Sequence, residues 1–328
     1  MWSNALKPEE FSGIANKYQK INHFPGTWEL GRKDKLYRNI ARMRRTHGAE
    51  LEIVPRHFVL PRDGDEWKAE YDRCPNNVYI LKPVSSSRGR GIRVLRKPSD
   101  IPRDKDGTIK ECLVQRYLLN PHLINGYKYD MRIYVVVTCF DPLRVYVYED
   151  GLVRFATEKY STADSTLKKR AMHLTNYSVN ARLNADAFNM EEEEDGKGSK
   201  WSIKALRSYF KDNNLDFAPI WEQVHDIVVK TLICVEPNVN SLTKTYIPSR
   251  NICYEVYGFD IVLDADLRAW VLEVNTSPAL QSPAPIDKRV KYAMVADMLH
   301  LLGFIPYDRA QFLQDEEERK RARLTGIV

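Results

Sequence analysis

Three oxygen-bearing side chains late in the chain, Asp260, Glu273 and Asn275, are of the types that hold a hard cation. They lie in residues 253–278 (CYEVYGFDIVLDADLRAWVLEVNTSP), where apolar runs at 257–263 and 269–274 flank a short polar loop at 264–268. That pattern predicts a β-hairpin. Residues 273 and 275 are two apart, so on a strand both side chains leave the same face. Pairing across the loop brings Asp260 close to level with Glu273. Two carboxylates and an amide suit Mg²⁺, which takes oxygen ligands and is usually shared with substrate phosphates. The alternative is a half-solvated hairpin with its charges on the wet side. Here, however, the charges interrupt runs that read as buried on both faces, and a buried carboxylate needs a partner.

A second group is basic. The apolar run at 78–81 ends in Lys82 and leads through Ser85, Ser86, Ser87, Arg88, Gly89, Arg90 and Gly91 to another strand at 92–95. Small residues let backbone N–H groups approach an anion, and the flanking Lys82 and Arg90 add charge, as a turn lying over phosphates requires. It is not a Walker loop: the G-x-x-x-x-G-K-[ST] pattern is absent and no helix follows. Many ordinary hairpins also carry a G-x-G. Farther on, GYKYDMR at 126–132 sets Lys128, Asp130 and Arg132 on one strand face and Tyr127, Tyr129 and Met131 on the other. The charged face is either a solvated edge or turned to a ligand. In HLTNYSVN at 173–180, hydroxyl and amide groups suit either a ligand or a cap for the next segment, and His173 reads as packed rather than as a base.

The elements that must position these groups follow from periodicity. Strands are expected at 58–61, 112–118, 144–148 and 152–156, with turns at 141–143 and 149–151. Helices are expected at 31–45 (strongly basic, with Leu36, Ile40 and Met43 on one stripe), 65–71, 201–210, 220–234 and 285–302. Residues 181–199 read as an acidic loop, and 315–323 as a charged tail, either helical or disordered. Hairpins and helices in alternation, with a basic turn in one part and carboxylates in another, imply α+β lobes around a cleft.

The 328 residues allow a large core and two lobes or more. With 43% hydrophobic and 29% charged residues, the composition is that of an ordinary globular protein. Five scattered cysteines without a C-x-x-C pair read as reduced thiols of a cytosolic protein, not a disulfide frame or zinc site. No apolar run reaches the length of about eighteen residues that spans a membrane, and the first residues lack a secretory pattern. The net charge of +6 suits an acidic partner. The basic residues form no aromatic-laced stripe, which disfavours nucleic acid.

Lys82 with Gly89 and Gly91, QRYL at 115–118, KYDMR at 128–132, HLTNYSVN at 173–180, GFDIVLD and LEVNTSP occur in this order. Together, across roughly 22–304, they resemble the tubulin tyrosine ligase-like family of ATP-grasp ligases. NHFPG at 22–26 and the basic helix resemble its polyglutamylase branch. The resemblance implies an α+β ATP-grasp fold, two antiparallel sheet lobes with helices and ATP between them. A partial N-terminal lobe with the basic helix is expected over 1–76, a central lobe over 77–118, a C-terminal lobe with the Mg site over 119–310 and a charged tail over 311–328. The family has more sequence ahead of NHFPG, so the first lobe is expected to be incomplete.

The resemblance also implies roles. Lys82 and Lys128 would hold the ATP phosphates beneath Arg88, Gly89, Arg90 and Gly91. Gln115, Arg116, Tyr117 and Leu118 would meet adenine, with Tyr129, Asp130, Thr175 and Asn176 completing the nucleotide pocket. Asp260, Glu273 and Asn275 would carry Mg²⁺. Arg132, Arg154 and Glu273 would be catalytic, Arg154, Ser178 and Lys200 would face the incoming amino acid, and Arg88 the acceptor glutamate. The implied reaction adds free L-glutamate to glutamate side chains of tubulin C-terminal tails through an acyl phosphate. Paired cations at Arg154 and Lys200 match a donor bringing two carboxylates, whereas tyrosine would want an apolar pocket. Alternatives are a glycine ligase, a glutamylase of another acidic protein, or a microtubule-binding relative without turnover. The expected setting is a cytoplasmic monomer on microtubules, including those of a cilium or basal body, with no membrane or nucleic-acid partner.

Overall fold

The computed structural model describes residues 2–12, 19–84, 89–183, 194–304 and 306–326. Two antiparallel sheets organise the chain. The smaller contains β1 (His57–Leu60), β2 (Tyr79–Pro83), β3 (Arg93–Leu95) and β4 (Cys112–Arg116) in the order β1-β4-β2-β3. The larger is built from β5 (Leu123–Ile124), β6 (Tyr127–Phe140), β7 (Leu143–Lys159), β8 (Lys200–Ser202), β9 (Glu255–Leu263) and β10 (Ala269–Asn275). Its order is β10-β9-β6-β7-β8, with β5 paired to β6.

The strand β6 lies at the centre, hydrogen-bonded to β9 on one side and β7 on the other. Its YVVVTCF run and the fully buried β9 are nearly continuous apolar sequences because both faces of this sheet are covered. One face packs Ile133, Val135 and Ile261 against α7 (Ile203–Asp212) and α8 (Ala218–Tyr246), in a core that includes Leu206, Val228 and Leu232. On the other face, Val136 and Val256 meet Ile286, Val290 and Met294 of α9 (Pro285–Leu302). Farther along the same face, Lys128 and Asp130 are buried as well. The charged row on β6 is therefore interior, not a solvated edge.

Three local expectations are corrected. Residues 149–151 do not turn the chain but lie within β7. Val147 pairs with Val135 and Gly151 with Ile133, so the extra β7 residues are absorbed as an irregularity. A Cβ on Gly151 would come within 2.5 Å of the Arg132 carbonyl oxygen, so glycine serves close strand approach here. The helix at 220–234 continues through Pro237 to Tyr246. An internal proline costs about 3 kcal/mol, but burial of Val235 and Val239 on the same stripe offsets it at roughly 1.5–3 kcal/mol each. The helix expected from 201 starts at Ile203, where Ser202 caps it by accepting from the Ala205 N–H, and residues 200–202 join the sheet. The tail forms α10 (Arg309–Thr325), which buries no side chain. Much of the acidic loop expected at 181–199, namely 184–193, lies outside the described residues.

The NHFPG segment is bound to β9 through one carboxylate. Glu255, fully buried, accepts from the Phe24 N–H (3.0 Å), Thr27 Oγ1 (2.5 Å) and Tyr257 Oη (2.9 Å), and lies 2.7 Å from His23 Nδ1. Such a fully satisfied site rigidifies its surroundings. Next come α2 (Trp28–Gly31) and α3 (Lys33–His47), which buries Leu36, Tyr37 and Ile40. No helix among the described residues is long and apolar enough to cross a membrane.

Candidate active site

The hairpin of β9 and β10 contains a register shift that decides the site. Ala269 faces Leu263 and Val271 faces Ile261, so regular continuation would set Leu272 opposite Asp260. Instead Glu273 faces Asp260 and Asn275 faces Gly258. This β-bulge turns Glu273 onto the face of Asp260, which an unbroken ladder would deny it. It also frees the Leu272 carbonyl, which accepts from Tyr37 Oη (2.9 Å) and Lys82 Nζ (3.2 Å). Gln115 closes the ring: its Oε1 accepts from Lys82 Nζ (2.8 Å) and its Nε2 donates to Tyr37 Oη (2.8 Å). Lys82 is thus held between the two sheets by neutral groups.

Lys128 is held in the same way. Its ammonium donates to Tyr117 Oη (3.0 Å) and the His173 carbonyl (3.1 Å), 4.6 Å from the centre of the Tyr117 ring. Burial lowers both lysines to a pKa of about 8, against a partial opposing pull from Glu273 on Lys82 and Asp130 on Lys128. Buried ammonium groups with neutral partners are suited to an anionic ligand.

Beyond the lysines lies an ion-pair lattice. Arg154 grips Asp130 with two bonds of 2.6 Å, and Thr175 Oγ1 donates to the same carboxylate at 2.6 Å. Arg132 binds Asp260 through two nitrogens (2.5 and 3.1 Å), and Arg154 reaches Asp260 at 2.8 Å. Burial opposes the charge of Asp260, but the two guanidinium groups outweigh it and hold its carboxyl well below the usual range. Lys200, paired with Arg154 across β7 and β8, meets Asp287 of α9 at 2.6 Å, and Lys291 meets Asp287 at 2.9 Å. Asp287 and Lys291 were not anticipated. Their only sequence signal is i,i+4 spacing at the start of α9.

The cleft between the sheets encloses about 690 Å³, including its open mouth. Of the residues expected around a nucleotide and metal, Lys82, Gln115, Arg116, Tyr117, Leu118, Lys128, Asp130, Thr175, Asn176, Asp260 and Glu273 line it. Tyr129 does not. Its buried ring packs at 5.8 Å from Phe155 on the opposite face of β6, and its hydroxyl bonds His122, because adjacent strand residues point to opposite sides. Gly89 has a φ of +69°, and a Cβ there would lie 2.7 Å from Val179 Cγ2 and 2.9 Å from Asn176 Oδ1. Only glycine fits there without strain. Gly91 also has positive φ and, like Arg90, is exposed. Arg88 lies outside the described residues, as does the side chain of Ser178 on α6 (Tyr177–Leu183).

The cation donors can be tested chemically. Asp260 receives three N–H contacts, leaving capacity within the roughly four acceptor positions of a carboxylate. Glu273 lies 3.0 Å from Lys33 at the cleft edge. Asn275 donates through Nδ2 to the Gly258 carbonyl (3.2 Å), leaving its amide oxygen for a cation. Among the described residues, no three His, Cys, Asp or Glu side chains form a metal-holding group. A cation here must therefore use the amide and ligand oxygens as well, which fits Mg²⁺.

Two antiparallel sheets closing on a cation-lined cleft define an ATP-grasp-like α+β protein. The chain matches the tubulin-tyrosine ligase family over residues 12–312 and belongs to it. It is 45% identical over 305 residues to human tubulin monoglutamylase TTLL4, covering 93% of this chain and 25% of that protein. It is 42% identical over 315 residues to human tubulin polyglutamylase TTLL5, covering 95% and 24%. With Caenorhabditis elegans tubulin polyglutamylase ttll-4 the identity is 36% over 322 residues, covering 98% and 52%. The chain thus spans about a quarter of the length of these human relatives and half of the nematode one.

Proposed function

We propose that this chain is an ATP- and Mg²⁺-dependent ligase that joins free L-glutamate to glutamate side chains of tubulin tails. The observation that carries this reading is a charge imbalance around the space between the two sheets and α9. Lys33, Lys82, Lys128, Arg132, Arg154, Lys200 and Lys291 outnumber Asp130, Asp260, Glu273 and Asp287. Buried cations in excess call for anions, and a triphosphate followed by a two-carboxylate amino acid supplies them. The names of the relatives above point to glutamate and to tubulin.

In this reading Lys82 and Lys128 hold phosphate oxygens, and Gln115, Tyr37 and the Leu272 carbonyl keep Lys82 aimed at them. Asp260, Glu273 and Asn275 would hold Mg²⁺, which when bound would neutralise charge on the phosphoryl oxygens. The acceptor carboxylate attacks the γ-phosphorus of ATP, the bond to the β-phosphate oxygen breaks to release ADP, and an acyl phosphate is left. The α-amine of glutamate then attacks its carbonyl carbon, forming the amide and expelling phosphate. Arg132 and Arg154, oriented by Asp260 and Asp130, stabilise negative charge without reorganising. A protein nucleophile has no part in this chemistry. The setting is the microtubule cytoskeleton, where the net positive charge favours encounter with acidic tails.

Intact-mass analysis of tubulin tails after incubation with ATP and either glutamate or glycine tests the proposal. Glutamyl additions are expected, and glycine incorporation alone would overturn it. The lysines add a pH signature. ATP affinity should fall about tenfold for each lysine, about a hundredfold together, as pH rises from about 7 to about 9, because each ammonium loses its charge near pH 8 and a charged hydrogen bond contributes roughly 1.5–3 kcal/mol. Stability of the free protein moves oppositely. The cost of burying the charged lysines is fully present below about 8 and is relieved as pH rises toward the unfolded value of 10.5. ATP titrations across this range check the first effect, and a Lys82→Met variant should show a flatter profile.

A further inference from the structure

The charged row on β6 has a fourth member. Residues 128, 130, 132 and 134 share one face, and Tyr134 pairs with Gly258 of β9 just beyond the Arg132–Asp260 pair. Six residues at about 3.3 Å each put Tyr134 roughly 20 Å from Lys128 along the strand. It therefore cannot serve the phosphates that Lys128 would hold.

The Tyr134 ring is fully buried against the α9 end of the sheet, packed in the cluster of Val136, Ala284 and Ile286. Its hydroxyl is buried too, and has no hydrogen-bond partner. A phenylalanine would fill the same space without stranding a polar group, so packing accounts for the ring but not for the oxygen. Burial pushes its pKa up to about 12, and the charges acting on it are Arg132, Asp287, Arg154 and Asp260. The hydroxyl thus stays protonated, within the field of the arginine clamp, Asp260 and Asp287. The surrounding cations are already bonded to protein carboxylates, whereas this neutral donor has no hydrogen-bond partner.

We infer that the Tyr134 hydroxyl is a specificity contact for the incoming amino acid, donating a hydrogen bond to a ligand carboxylate drawn between Arg132, Arg154 and Lys200. This rests on the ligase reading above and extends it by one residue. A neutral donor suits the task. It adds direction to a site already rich in charge, and a buried donor built for a ligand group penalises ligands that lack the acceptor.

The test is Tyr134→Phe. The KM for L-glutamate should rise about tenfold or more, the loss expected for a hydrogen bond to a charged group, while the KM for ATP keeps its wild-type value. The Tm of the ligand-free variant should equal or exceed that of the wild type, because the lost group has no partner. An unchanged KM for glutamate would overturn the inference, as would a lowered Tm with equal rises in both KM values. Equilibrium dialysis of radiolabelled L-glutamate in the presence of ADP separates this contact from the reaction itself. Binding to the wild type that weakens in the variant supports the contact even if tubulin is not the acceptor. Equal binding, or none to the wild type, refutes it.

Discussion

Replacing Glu273 by Gln is expected to reduce ligation by about a thousandfold while the variant still pellets with microtubules. The substitution keeps shape and one oxygen but removes a charge from the only carboxylate that the bulge brings level with Asp260. Asp260 is already committed to two arginines, so Glu273 is the carboxylate freer to neutralise a divalent ion. Losing one preorganised charge at a phosphoryl-transfer site costs about 10²–10³ in rate, and weaker metal retention adds to this. The Mg²⁺ concentration giving half-maximal rate should rise in parallel. The pair between Glu273 and Lys33 is partly exposed, so its loss should hardly change stability. Wild-type turnover by the variant would remove the metal assignment.

Asp260→Ala is expected to lower folding stability by about 3–5 kcal/mol, the cost of leaving buried charge without its partner. Arg132 and Arg154 both lie in the sheet interior, and Asp260 is their shared counter-charge. Asp260→Asn should be milder, because the amide oxygen still accepts, yet it should also abolish ligation. The wild type should show a matching acid limb. Because the folded pKa of Asp260 lies below its ordinary 3.8, its contribution is present above that value and is lost as pH falls further. In Asp260→Asn this part of the acid limb should be absent. Urea denaturation across pH measures both effects, and a loss under about 1 kcal/mol in Asp260→Ala would contradict the clamp. The two carboxylates face each other across one ladder, yet one is bound into the fold and the other lies at the cleft edge.

Much of the architecture is legible in local pattern. The apolar runs around 264–268 announce the hairpin, the alternation at 127–132 sorts three charges from three core-facing side chains, and the 285–302 periodicity marks α9. These depend on the periods of strand and helix, which act over a few residues. Where the reading missed, the cause was non-local. Glu149-Asp150-Gly151 carries a turn signal, but pairing with β6 on the other side keeps that segment in the sheet. The helical spacing is legible only to 234, but core contacts carry α8 past Pro237. The partners Asp287 and Lys291 lie far along the chain from Lys200 and are invisible until α9 packs over the sheet.

By itself the sequence determined which side chains share a face within one strand, Lys128, Asp130 and Arg132 on β6 and Glu273 and Asn275 on β10. Tertiary structure decided whether those faces meet. A hairpin without the bulge at Leu272 would satisfy the same alternation, but it would turn Glu273 away from Asp260 and leave Lys82 and Tyr37 without their shared carbonyl. The bulge is favoured by contacts with β2 and α3, elements more than 180 residues upstream. No local propensity encodes energies that arise only when distant segments come together.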